Sequence, residues 1–218
     1  MDENIYSDLS QKNLKNRRFY KAVSVAAELF LERGIEDVKM TDIAEACDVG
    51  VATLYRYFGT KQGIVIEVMT FLWEDIRHLF SGVFDSERFL AQSGIKQLSD
   101  LMRMFLVLYD AHGDFVKLVG EFDRFVIREN VQRENLWKYE RSVVDFYPVL
   151  QRAYNKGCED GTVRQDIDFR LFYMTFAHAL TEMCKKFIGG KVLPSDDPNS
   201  AKSELQMLID AAVFYIAK

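Results

Sequence analysis

Apolar residues in this chain recur at intervals of three and four along almost its whole length, which is the spacing of one face of an α-helix. In the stretch that begins at Arg18, Ala22, Ala26 and Phe30 share one face. This stretch ends at Gly34, a residue type that commonly terminates helices. No segment alternates apolar and polar residues between hairpin signals. The pattern therefore predicts an all-α protein with about nine helices.

The same periodicity gives the bounds of the expected helices. They run over 18–34, 40–47, 51–58 and 61–80, and then near 93–111, 114–128, 135–159, 169–188 and 201–217. Pro148 lies inside the longest of these and should kink or split it, because proline lacks an N–H and clashes with the preceding turn. Short helices with small side chains come first, and long helices rich in Phe, Met, Tyr and Trp follow. We therefore expect an N-terminal domain over 1–60 and a larger helical domain over 61–218.

The composition excludes several classes of protein. Of the 218 residues, 49% are hydrophobic, which is too many for a disordered chain. No apolar run approaches the ~18 residues of a membrane helix, and the acidic N-terminus does not resemble a signal peptide. Cys47, Cys158 and Cys184 are odd in number and far apart, so we expect no disulfide framework and a cytoplasmic location.

The net charge is unevenly distributed along the chain. A total of −5 argues against nucleic acid as a partner. Nevertheless, the ten residues 12–21 contain no acid and five basic residues: Lys12, Lys15, Arg17, Arg18 and Lys21. This basic segment could contact phosphate groups or could remain a solvated arm.

Two short helices flank a turn at Asp48-Val49-Gly50, which is the geometry of a helix-turn-helix. Leu54 and Phe58 lie four residues apart in the second helix and are expected to face the small core. Ala52 and Arg56 then face outward. An outward arginine can pair with guanine, so this face is a candidate surface for reading DNA.

These residues resemble the DNA-binding domain of the tetracycline-repressor (TetR) family. The pieces that carry the resemblance are Ala26-Ala27-Glu28-Leu29-Phe30, Gly34-Ile35, Thr41-Asp42-Ile43-Ala44, Val49 to Phe58 and Lys61. A weaker similarity to the regulatory domain of the family continues from Ala153 to Phe172. Lys39, Asp48 and Gly50 depart from the family, which usually has Ser or Thr, Gly and Ser at these positions.

The resemblance implies a role for particular side chains. Residues expected to touch the DNA backbone are Thr41, Tyr55, Tyr57 and Lys61, and those expected to approach bases are Val51, Ala52, Thr53 and Arg56. Three alternatives remain open. Tyr55 and Tyr57 could close the small core, Thr41 could serve only to begin a helix, and Arg56 could contact phosphate.

The resemblance also implies a C-terminal domain that dimerises. The final helix is apolar on more than one face, with Met207, Ala211 and Phe214 outside its main stripe, so it needs cover on more than one side. The expected dimer interface consists of Phe169, Phe172, Phe176, Leu180, Leu205, Leu208, Ile209 and Ala212. The alternative is a single deep core within one chain.

A ligand cavity between the central helices is the other implication. Aromatic, soft or weakly polar side chains line adaptable cavities. The candidates are Met102, Phe105, Phe122, Phe125, Trp137, Tyr147, Met174 and His178. Each could instead be an ordinary core residue. Because these helices carry little charge, the expected effector is apolar or amphipathic.

Catalytic and metal-binding patterns are absent from the sequence. His78, His112 and His178 are isolated, and no Cys or His pair has the spacing of a zinc site. We expect no cofactor. The sequence therefore predicts a homodimeric transcriptional regulator, a repressor that binds a palindromic operator in double-stranded DNA and is released by a small molecule. An all-α enzyme and an interaction protein without DNA binding are the alternatives.

Overall fold

A computed structural model describes the chain over 3–144, 146–190, 193–197 and 199–218, with side chains described from residue 17 onward except at 144. Twelve α-helices and one 3-10 helix lie within these ranges. The first four α-helices are α1 (Glu3–Asp37), α2 (Met40–Cys47), α3 (Val51–Phe58) and α4 (Lys61–Phe84). The next four are α5 (Glu87–Leu90), α6 (Gly94–Met102), α7 (Met104–Ala111) and α8 (Gly113–Arg128). The 3-10 helix (Arg133–Asn135) precedes α9 (Trp137–Val144), α10 (Tyr147–Glu159), α11 (Phe169–Gly189) and α12 (Ala201–Ile216).

The all-α class is confirmed, and the helices are more finely divided than the periodicity predicts. The expected helix over 93–111 is interrupted at Arg103, although the Arg103 N–H still bonds to the Ser99 carbonyl at 3.1 Å. The expected helix over 135–159 is divided into the 3-10 helix, α9 and α10. Pro148 lies in the first turn of α10, where its missing N–H has no helical partner to lose. The predicted split at this proline is confirmed.

The ends of the first helices follow local backbone chemistry. Gly34 interrupts α1 with a φ of 83°, which is strained for a residue with a Cβ atom. Asp48 ends α2 in the left-handed conformation, with a φ of 55° and a ψ of 50°. The Thr60 hydroxyl accepts the Gly63 N–H at 3.1 Å and so caps α4.

The chain forms two compact units. The first comprises 1–73 and 121–140, and the second comprises 74–120 and 141–218. These structural units do not coincide with the domains 1–60 and 61–218 that the sequence predicts, because the first unit includes half of α4 and the end of α8. As functional domains, those predicted bounds stay a prediction.

In the second unit, α6 and α10 cross at two glycines. A Cβ atom on Gly94 would lie 2.0 Å from the Gly157 backbone nitrogen, so the two helices approach through bare backbone. The Asp160 carboxylate accepts the Gly94 N–H at 2.7 Å, and the Thr162 hydroxyl accepts the Ile95 N–H at 3.2 Å. These bonds satisfy two of the free N–H groups at the start of α6.

None of the helices described here is long and apolar enough to cross a membrane.

Candidate DNA-binding site

The first unit positions α3 by packing it on α1 and α2. The side chains of Ile43 and Leu54 are fully buried. Phe19 of α1 places its ring 4.9 Å from the ring of Phe58 and 6.3 Å from that of Tyr57. Contacts from α1 and α2 therefore fix the orientation of α3 within the first unit.

The outer face of α3 carries the residues expected to read DNA. Leu54 and Phe58 are buried, as predicted, while Ala52 and Arg56 are exposed. Val51 and Thr53 are half-buried at the start of the same helix. No side chain caps α3, because its N-cap is Gly50, so the cap is left to the backbone.

The three alternatives for Thr41, Tyr55 and Tyr57 receive different support. The Tyr57 ring is half-buried between Phe19 and Phe58, so it closes the small core. Tyr55 keeps 48% of its surface exposed. Thr41 is exposed and donates a hydrogen bond from its hydroxyl to the Asp42 carboxylate at 3.3 Å. A role in DNA contact stays a prediction for all three.

Asp42 stabilises the start of α2 through the backbone of Lys39. Its carboxylate accepts the Lys39 N–H at 2.9 Å at the start of α2. This backbone hydrogen bond is the main reason that the pKa of Asp42 lies below its usual value, because it stabilises the charged form. The departure from the family at Lys39 therefore leaves the helix start intact.

The described side chains of the basic segment take different positions. Lys21 donates a hydrogen bond from its ammonium to the Cys47 carbonyl at 3.2 Å and thereby ties α1 to the end of α2. Arg17 and Arg18 are exposed. The side chains of Lys12 and Lys15 lie outside the described part of the chain.

Lys61 lies where α1, α4 and α8 meet. Its ammonium donates a hydrogen bond to the Glu36 carbonyl at 3.3 Å. Burial is the main cause that lowers the pKa of Lys61, because it disfavours the charged form. The same region contains an ion pair between Arg128 of α8 and the Glu36 carboxylate.

A second contact of α8 with α1 uses a carboxylate. Glu121 accepts the Ile35 N–H at 3.0 Å, directly after the break at Gly34. A Cβ atom on residue 34 would lie 2.7 Å from the carboxylate oxygen, so only glycine leaves room for this contact. Sequence reasoning missed Glu121, Glu36 and Arg128, because no local pattern joins residues 86 or 92 positions apart.

The predicted ligand residues are divided between the two units. In the first unit, Phe122 and Phe125 are buried and Trp137 is 61% exposed. In the second unit, Met102 is buried, Phe105 and Tyr147 are half-buried, and Met174 and His178 are exposed. Because His178 is exposed in the single chain, it is not an ordinary core residue there. A role in ligand binding stays a prediction for this set.

Small pockets within the units include two that are lined entirely by described residues. One of about 270 Å³ in the first unit is lined by Phe58, Thr60, Gln62, Gly63, Ile66, Glu67 and Asn135. One of about 240 Å³ in the second unit is lined by Lys186, Phe187, Gly190, Ser195, Asp196, Asp197, Ser200 and Glu204. Drug-sized ligands usually occupy about 300–1,000 Å³. Neither pocket includes a predicted ligand residue.

The predicted dimer interface requires a correction. Six of its eight residues are buried inside the single chain: Phe169, Phe172, Leu180, Leu205, Ile209 and Ala212. Phe176 and Leu208 are half-buried. The periodicity identifies the most apolar stripe of each helix, and the core of the protomer occupies that stripe. A second chain can reach the two half-buried residues and the opposite faces of the helices, but not the six buried side chains.

Those opposite faces are also apolar. On α11, Leu171 and Met174 are exposed. On α12, Met207, Phe214 and Tyr215 are exposed, and Phe214 keeps 86% of its surface free. The expectation that the last helix is apolar on more than one face is therefore confirmed.

Comparisons with known proteins agree with this geometry. The sequence profile of the family "Bacterial regulatory proteins, tetR family" matches residues 22–68. The chain is 25% identical over 159 residues to the HTH-type transcriptional repressor KstR2 of Rhodococcus jostii. The aligned region covers 73% of this chain and 74% of that protein.

Solved structures share the fold over almost the whole chain. A TetR transcription regulator from Haloarcula marismortui has a TM-score of 0.71 at 13% identity, covering 93% of this chain and all of the other. The regulator FadR from Bacillus subtilis, in complex with stearoyl-CoA, has a TM-score of 0.59 at 17% identity and covers 90% of this chain and 96% of its own.

Proposed function

Because this chain is a transcriptional regulator of the tetR family, we propose that it is a homodimeric repressor that binds a palindromic operator and is released by a small molecule. Like the other members of its family, it is a DNA-binding regulator and not an enzyme. We infer that it acts in the cytoplasm, where its DNA lies.

The outer face of α3 is the observation that carries the DNA-binding part of the proposal. Leu54 and Phe58 anchor the helix, and Ala52 and Arg56 project away from the core. A small residue beside an arginine allows close approach to a base edge, where arginine pairs with guanine. Repression, rather than activation, is supported by the similarity to a repressor of Rhodococcus jostii.

The exposed apolar residues of α11 and α12 support the proposed dimerisation. Single exposed apolar residues are common on a monomer, but a contiguous apolar patch marks an interface. Leu171, Met174, Met207 and Phe214 occur on the two helices that pack together in the second unit. We propose these residues, in place of the buried stripe, as the contact between two copies, which fixes the spacing of two recognition helices on two half-sites.

The proposed effector is apolar or amphipathic. The aromatic and sulfur-containing side chains predicted to bind it carry little charge, and a regulator of similar fold was solved with stearoyl-CoA. An effector lowers DNA affinity only by the difference in its own affinity for the two states. DNA must weaken effector binding by the same factor.

A selection of bound genomic fragments tests the function directly. The expected result is a short set of fragments that share an inverted repeat, retained in a mobility-shift assay in the presence of competitor DNA. Fatty acids and acyl-CoA thioesters of increasing chain length are then added to the complex. Release of DNA, together with a higher melting temperature of the free protein, identifies the effector class. Retention of random DNA with equal affinity would reject the proposal.

A further inference from the structure

Five charged residues surround the end of α1, and we call them the α1-end cluster: Glu36, Asp37, Lys61, Arg128 and Glu129. Glu36 and Asp37 end α1, Lys61 begins α4, Arg128 ends α8, and Glu129 directly follows α8. Three carboxylates therefore share two cations. The distribution of pairs among them decides which cation remains available to an outside anion.

Arg128 pairs with two of the three carboxylates. It forms an ion pair with Glu36, and its Nε atom lies 3.0 Å from the Glu129 carboxylate. Hydrogen bonds to Glu36 and then Glu129 are the main causes that raise the pKa of Arg128.

Among the side chains that the structure describes, no carboxylate lies within hydrogen-bond distance of Lys61, and its ammonium bonds to the backbone carbonyl of Glu36 instead. The charges of Glu36, Glu129 and Asp37 favour its charged form, and the charge of Arg128 opposes it. Lys61 thus interacts electrostatically with all four charged groups, while the hydrogen bond described for its ammonium is to a carbonyl.

The end of α8 is held against α1 by Glu121. Glu121 and Arg128 are seven residues apart, so they lie on one face of α8, two turns from each other. Glu121 binds the Ile35 N–H and Arg128 binds Glu36, the next residue of the chain. A displacement of α8 that breaks one contact strains the other.

We propose that Arg128 is a positioning residue for DNA binding, which occupies Glu36 and Glu129 and so leaves the Lys61 ammonium available to a DNA phosphate. The proposal rests on the proposed function and on Lys61 as a phosphate contact. Without Arg128, the same carboxylates pair with Lys61 and repel the phosphate. An effector that draws the end of α8 away from α1 therefore weakens DNA binding by an exchange of ion-pair partners.

The salt dependence of operator binding tests the exchange. The slope of log K against log salt is negative, and each lost phosphate contact makes it shallower by about 0.9. We expect Lys61→Ala and Arg128→Ala each to lose about one such contact, and the double variant to lose no more than either alone. Glu36→Gln added to Arg128→Ala should restore part of the slope, and Arg128→Lys should retain it.

The matched control is Arg124→Ala, which removes an equal charge from an exposed position one turn earlier on α8. It should keep the wild-type slope. An unchanged slope in Arg128→Ala, or twice the loss in the double variant, overturns the proposal, since Arg128 would then be inactive or a direct phosphate contact. An unchanged slope in Lys61→Ala also overturns it, while specific operator binding by that variant would leave the proposed function standing.

Discussion

The side chains of α3 divide into those that anchor the helix in the core of the first unit and those that face outward. Leu54 and Phe58 are buried, while Arg56 is exposed and lies 5.8 Å from the centre of the Tyr57 ring. Tyr57 itself packs on Phe19. The ring of Tyr57 therefore restricts the orientations of Arg56 from the side of the core. The side chain then loses less conformational entropy when it binds a base.

Arg56→Ala should weaken specific operator binding by about 1–3 kcal/mol, because it removes one bidentate base contact. The fold should be unchanged, since the side chain is exposed. Fluorescence anisotropy with operator and with scrambled DNA measures both affinities. Arg33→Ala, at an exposed position of α1, serves as the control for loss of charge. Equal affinity of Arg56→Ala and the wild type for the operator would exclude Arg56 as a reader.

Thr60→Ala should lower the free energy of unfolding by about 1 kcal/mol, because the hydroxyl that accepts the Gly63 N–H is lost from the start of α4. Thr60→Ser keeps this hydroxyl and is the matched control. Urea denaturation followed by circular dichroism measures the change. If both variants unfold at the same urea concentration, the cap does not contribute to stability.

Whole helices show where sequence reasoning succeeds and where it stops. Bounds set by local chemistry were predictable, as at α2, α3 and the start of α10, because Gly, Pro and capping residues act within one turn. The partner of an apolar stripe was not predictable. Phe169 and Leu205 belong to stripes that sequence reasoning assigned to a second chain, and the protomer buries them itself. Periodicity identifies an apolar face, but not the element that covers it.

Gly94→Ala should destabilise the protein by about 1–3 kcal/mol or more, because the new methyl group meets the backbone of α10 and the two helices must separate. Gly82→Ala is the matched control. A Cβ atom there meets nothing within 4 Å, and alanine favours a helix interior over glycine by about 0.8–1.0 kcal/mol. Opposite shifts in melting temperature are expected. A Gly94→Ala variant as stable as the wild type would mean that the two helices do not touch at this point.

At the scale of the whole molecule, a protein with a net charge of −5 must bind a polyanion. Local charge, not total charge, decides this interaction, because salt screens exposed charges beyond about 10 Å at 0.1 M. The basic segment precedes the DNA-binding helices, while exposed apolar residues occur on α11 and α12. The proposed DNA-binding surface and the proposed dimer surface thus differ in chemistry.

Phe214→Glu should convert the dimer to monomers, because it places a charge without a partner in an apolar interface. Phe214→Leu keeps the apolar contact and should remain dimeric. Analytical ultracentrifugation at micromolar concentration measures the state of each. The side chain is exposed in the protomer, so both variants should fold. A monomeric wild type, or a dimeric Phe214→Glu variant, would contradict the proposed interface.

The contact of Gly94 with Gly157 also constrains how this sequence can diverge. Neither position can gain a side chain by a single mutation without loss of stability. A Cβ atom on Gly94 would lie 2.0 Å from the Gly157 backbone nitrogen, and one on Gly157 would lie 2.3 Å from the Val163 side chain. Lineages that keep the close crossing should therefore retain glycine at both positions. A side chain at position 94 should appear only together with a wider spacing of α6 and α10, and one at position 157 only together with a smaller residue at position 163. The two codons are in this way subject to joint purifying selection, although 63 positions separate them in the chain.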